Sequence, residues 1–285
     1  MSFLLSAFAS LLLGGAAAAP AATPAATPAA AVAAPGKTAH ANLVDDSAYA
    51  DVLKTYVNSD ARVDYPGLKA NRAKLDEYLK GVAAVSKADF DKAPREAQLA
   101  YLVNAYNAYT LETIIDNYPK PVKNEGGLFG GPGNSIKQIK GAWNGKKHKT
   151  AIGDVTLDNI EHDNLRKTYQ EPLLHMALVC ASKGCPPLRT EPYSADKLND
   201  QLEDQARTYL GSKYGLVVKG QSVEVSAIFK WFGGDFTKKY GSAMGFVEKY
   251  APDDKKPIVK LANGKAGYLD YDWTLNEQAP ASKKS

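Results

Sequence analysis

The sequence predicts an α+β fold, mainly helical with a small antiparallel sheet. Three observations predict it. Apolar residues recur at helical spacing through most of the first half of the chain. Short alternating runs flanking turn residues appear only later. No strand–helix–strand repeat occurs, which excludes a doubly wound parallel sheet.

Taken in order, Asp46 to Val57 places Tyr49, Val52, Leu53 and Tyr56 on one helical face, with Asp45 or Asp46 positioned to cap. Val63 to Gly67 reads as a turn, and Asn71 to Val82 as a second helix with Leu75, Tyr78 and Leu79 inward. Pro94 opens the strongest helix, Arg95 to Asn117, whose apolar stripe is wide enough to lie in a core; Pro119 and Pro121 stop it. The glycine-rich stretch 126–133 lacks the Lys-Ser/Thr of a phosphate cradle and reads as a loop. Ile136 to Trp143 is a helical turn, and Lys149 to Val155 a short hairpin around Gly153-Asp154. Thr156 is placed to cap a helix that runs through Ile160-Glu161-His162 to Arg166. Leu173 to Val179 is a short apolar run whose periodicity fits strand and helix equally. Ser194 to Tyr209 is an amphipathic helix, residues 216–218 and 223–225 form a hairpin, and Ala243 to Tyr250 is the last helix.

Residues 1–19 have the layout of a secretory signal peptide: a short apolar run, then small residues up to Ala19. An uncleaved membrane anchor is the competing reading. Residues 20–40 form an Ala/Pro-rich linker, leaving 41–285 as a single domain. A periplasmic or secreted location follows. The 35 Lys+Arg and 31 Asp+Glu are scattered, so no nucleic-acid partner is expected. No later apolar run approaches membrane-span length, so no stable membrane insertion is expected after cleavage. The expected partner is a small-molecule or peptide substrate, with no cofactor; the oligomeric state is not legible.

The chemistry centres on Cys180. It ends an apolar run and precedes small residues, which suits a nucleophile with a rigid support behind and an open turn in front. The amides near Ala181 and Ser182 are candidate oxyanion donors, and Lys183 can favour the thiolate. Cys185 opens a competing reading, a Cys180–Cys185 disulfide closing a tight loop in an exported domain. A metal site with His162 and His175 is a third, without the spacing that usually marks one. Of the four histidines, His40 falls in the linker and His148 in a basic turn read as solvated. His175, in the same apolar run as Cys180, faces the opposite side if that run is a strand, and is then buried and hydrogen-bonded. His162 becomes the general base by elimination. Glu161 lies about 100° from it on a helix, so the two do not simply pair. Asn104 and Asn107 share one face of the core helix; their amides tie down a loop or line a polar pocket as substrate-binding groups, alongside Ser182 and His175.

Several segments together resemble the domain of unknown function 547 family (DUF547). They are Asn104 to Ala108, Leu157 to His162 with Leu165-Arg166, and His175 to Leu188. Ile228 to Phe232 with Asp235-Phe236, and Tyr271 to Asn276, fit the same pattern. The resemblance implies a thiol-dependent hydrolase of papain-like character, with Cys180 as nucleophile, His162 as base and Glu161 as the acidic member. It suggests glutathione-like small peptides as substrates. In this light Cys185 is a redox guard on Cys180. The expected activity is therefore an exported thiol hydrolase of a small amide or peptide; the alternative is a non-catalytic periplasmic binding or scaffold domain stapled by the disulfide.

Overall fold

The computed structural model describes residues 41–118 and 135–279. The leader and linker read at 1–40 and the glycine-rich stretch 126–133 lie outside these residues.

The N-terminal part is helical. α1 (Ser47–Tyr56) starts where Asp45 accepts from the Ser47 amide. α2 (Tyr65–Ala70) occupies what the sequence reads as a turn; Pro66 fits a first helical turn, and Asp64 accepts from the Gly67 amide. α3 (Ala73–Ala84) packs on α1 through Tyr49 and Tyr78, stacked with ring centroids 4.7 Å apart. α4 (Lys87–Lys92) is absent from the sequence reading, although Ser86 and Asp89 cap it reciprocally: the Asp89 amide donates to Ser86 Oγ and Ser86 Oγ donates to the Asp89 carboxylate.

α5 (Arg95–Asn117) has the bounds the sequence predicts and is buried on nearly every side, the mark of a central helix. Its polar residues must therefore find partners. Tyr101 donates to the Val82 carbonyl and accepts from the Ala151 amide, tying α5 to α3 and to the first hairpin. That hairpin is β1 (His148–Thr150) with β2 (Gly153–Val155), antiparallel.

Thr156 caps the next helix as expected, its Oγ accepting from the Asn159 amide. The helix itself, Asn159–Tyr169, is a π-helix, a form that is rare at this length and frequent at functional sites. The ambiguous apolar run resolves as a 3-10 helix, Pro172–Met176, followed by a turn and irregular chain to Cys180. α6 (Leu198–Gly211) begins later than predicted and covers the 3-10 helix.

The second sheet contains β3 (Leu216–Lys219), β4 (Ser222–Ser226) and β5 (Gly267–Leu269). β3 and β4 form the expected antiparallel hairpin, but β5 joins β4 in parallel, so this sheet is mixed rather than antiparallel. A parallel partner needs a long crossover, supplied here by α7 (Ile228–Trp231), α8 (Gly233–Tyr240), α9 (Ala243–Tyr250) and α10 (Lys256–Leu261). Phe229, Phe236 and Phe246 hold these helices together, with centroids 4.9 to 5.8 Å apart. Among the described residues no helix is long and apolar enough to cross a membrane.

Candidate functional site

Cys180 stands where this irregular chain meets a tight turn. Asn107 of α5 fixes the approach: its amide nitrogen donates to the Ala177 carbonyl and its oxygen accepts from the Val179 amide. Asn104 does the same for the chain at Tyr193, at 2.8 and 2.9 Å. Both side chains thus tie down neighbouring backbone, and neither lines the cavity described below.

Beyond Cys180 the turn is laced to the C-terminal segment. Ala181 adopts φ +58°, an unusual conformation for a residue with a side chain. Its carbonyl accepts from Asn276, and the Lys183 and Gly184 amides donate to the Thr274 and Asp272 carbonyls. A Cβ on Gly184 would lie 2.9 Å from the Asp272 nitrogen, so only glycine allows this approach. Cys180 and Cys185 are joined as a disulfide across the turn, with Cα atoms 6.3 Å apart. Cys185 is the inner sulfur, 5% exposed; its Sγ accepts from the Cys180 amide and from the Tyr271 hydroxyl. Ser182 is buried, with its hydroxyl 3.3 Å from Cys180 Sγ and donating to Tyr271. Burial pushes the Tyr271 phenol well up, so it stays a proton donor.

Cys180 opens onto a cavity of about 230 Å³. His162, His175, Glu161 and Asp158 border it as well. Trp143, Trp231, Trp273, Tyr271 and Phe232 form an aromatic wall. The chain has three tryptophans, and all three converge here.

The two cavity histidines differ in their partners. His175 is buried, lies flat on Phe232 at 4.4 Å, and has Nε2 2.8 Å from the Asp235 carboxylate. Arg166 grips the same carboxylate with two nitrogens, at 2.6 and 3.1 Å. The His175 hydrogen bond, reinforced by Arg166 and opposed by burial, holds Asp235 well below the usual carboxylate range. An ionised Asp235 fixes the proton of a neutral His175 on Nε2 and leaves Nδ1 with the lone pair. His162 has its Nδ1 3.2 Å from Arg166 Nη1. Arginine only donates, so this lone pair is engaged and the ring proton of a neutral His162 sits on Nε2. Glu161 Oε1 is 3.9 Å from His162 Nδ1, while its Oε2 accepts from the Tyr106 hydroxyl at 3.0 Å. Burial first, and then the field of Glu161, raise the Tyr106 phenol well above its ordinary value.

His148, read as solvated from its basic neighbours, is buried in β1 against Tyr109, with Nδ1 3.5 Å from Glu112. The sequence reading also gave no role to Arg166, Asp235, Tyr106 or the aromatic wall. The signal for some of these was present, since Trp231, Asp235, Tyr271 and Trp273 lie in the late segments that carry the family resemblance. Among the described residues no group of three or more His, Cys, Asp or Glu is placed to hold a metal ion.

No curated protein and no solved structure matches the chain. Residues 90–210, which carry Cys180, Cys185 and both cavity histidines, match the family described as Protein of unknown function, DUF547.

Proposed function

We propose that the domain is an exported thiol-dependent hydrolase of a small amide or peptide, competent when Cys180 is reduced and closed when it is bonded to Cys185. The observation that carries this reading is that Cys180 and a histidine oriented by a carboxylate, His175 with Asp235, border one cavity. Cys180 attacks the carbonyl carbon, and His175 Nδ1 takes the thiol proton and returns it to the leaving amine. Water then hydrolyses the thioester, with His175 accepting the proton from the water. The Lys183 and Gly184 amides are committed to Thr274 and Asp272, so the oxyanion falls to the Ala181 and Ser182 amides. His162 and Glu161 line the substrate side of the cavity in this scheme, and His162 yields the role of base because Arg166 holds its lone pair.

The test is turnover of a panel of short peptides, glutathione included. Reduced wild type and Cys185→Ser, which leaves Cys180 free without reductant, are expected to be active. Cys180→Ser and His175→Ala are expected to lose about 10²-fold or more. Asp235→Asn is expected to act mainly on kcat, and His162→Ala less than His175→Ala. Reduced wild type and Cys185→Ser no faster than Cys180→Ser would end the proposal. In that case the inward, doubly hydrogen-bonded Cys185 favours the stapled, non-catalytic domain.

A further inference from the structure

The cavity has a charge character that the thiol chemistry does not require. Among the described residues that border it, two are carboxylates, Asp158 and Glu161, and none is lysine or arginine. Glu161 is 14% exposed at its side chain, so its charge acts through a partly desolvated medium. The lining also presents aromatic rings: Trp231 lies 4.9 Å from Tyr271 and 5.9 Å from Trp273, centroid to centroid, and Trp143 meets Trp273 edge-on at 6.3 Å. Ring faces carry partial negative charge and attract cations, tryptophan most strongly.

The protein's own cations already use these faces. The Lys137 ammonium lies 4.8 Å over Trp273, and the Arg166 guanidinium 4.7 Å over Phe232. Arg166 is neutralised by its two-point pair with Asp235 and borders a neighbouring hollow rather than this cavity. Trp231 stays 47% exposed, which leaves part of the wall uncovered at the cavity mouth.

We infer that the cavity selects a ligand bearing an ammonium or guanidinium group, held between the Trp231/Trp273 wall and the carboxylates of Glu161 and Asp158. The inference builds on the hydrolase reading and names its substrate class: a cationic amide or peptide. A glutathione-like peptide, with two carboxylates against one ammonium, carries the wrong net charge for this lining.

The experiment is a titration of Cys180→Ser protein, whose turnover is suppressed, followed by fluorescence of the three tryptophans. The probes are N-acetylarginine amide and its neutral isostere N-acetylcitrulline amide. The arginine amide is expected to bind at least about tenfold more tightly, weakening with salt. Glu161→Gln and Asp158→Asn are each expected to narrow that ratio several-fold, and Trp231→Leu to weaken the arginine amide selectively. Equal affinities, a preference for citrulline, or no saturable binding of the arginine amide at millimolar concentration overturn the inference. So does a preference that survives both carboxylate substitutions. Because the titration needs no turnover, the two readings fail separately. An arginine preference in a protein that hydrolyses nothing removes the reaction and keeps the ligand class; turnover without the preference does the reverse.

Discussion

Two carboxylates show how opposite surroundings drive opposite pH dependence. At Asp46 burial outweighs the hydrogen bonds from Tyr78 and Asn42, and the pKa rises from 3.8 to about 6. The folded chain then binds this proton more tightly than the unfolded one. The stabilising contribution is full below about 3.8 and is lost as pH rises through about 6. Asp46→Asn keeps the shape and removes the charge, so it is expected to raise Tm by a few degrees at pH 8, by about half as much at pH 5, and to change it little near pH 3.5. A Tm gain that is the same at pH 8 and at pH 3.5 would contradict the assignment. Asp235 has the reverse sign: its depressed pKa contributes stability above its ordinary value and loses it progressively in acid. The two aspartates also mark what a sequence conceals. Cys180, Glu161, His162 and His175 were legible because they lie close together in two short motifs. Which histidine keeps a usable lone pair was not, since it depends on Arg166 and on Asp235, sixty residues beyond His175.

At the scale of elements, α5 is the support on which the cysteine turn is hung. Asn107 satisfies a carbonyl and an amide that are otherwise buried without partners, on the stretch leading directly to Cys180. Asn107→Ala is expected to cost about 2–4 kcal/mol in urea unfolding, because two buried backbone groups lose their partner together. A cost below about 0.5 kcal/mol would show that the chain at Ala177 to Val179 holds itself. Asn107→Asp keeps the acceptor for Val179 but sets an oxygen against the Ala177 carbonyl in a buried site, and is expected to cost at least as much as Asn107→Ala at neutral pH. The long helix α5 could be read from spacing alone, since its 23 residues hold several full periods. The short pieces could not. α7 and α10 have too few turns to show a period, and β5 is defined by its neighbour β4 rather than by its own three residues. The π-helix escaped because its start signal is that of an ordinary helix, and only the wider turn behind it differs.

For the whole molecule, the disulfide closes a loop whose ends are only five positions apart. The chain entropy removed by so short a loop amounts to about 2 kcal/mol, small beside a core that draws on every helix. Reduction is therefore expected to lower Tm by about 4–8 °C while the far-ultraviolet circular dichroism stays unchanged. Global unfolding on reduction would instead make the bridge a structural staple. The lacing of the Cys180 turn to Asp272, Thr274 and Asn276 bears on how the protein matures. These partners are translated about ninety positions after the sulfur they steady. A nascent polypeptide halted at Leu261 already holds its thiols, its histidines and most of its helices, yet lacks the cord that shapes the loop between Cys180 and Cys185. The loop between Cys180 and Cys185 therefore takes its final shape only once the ribosome has passed Asn276.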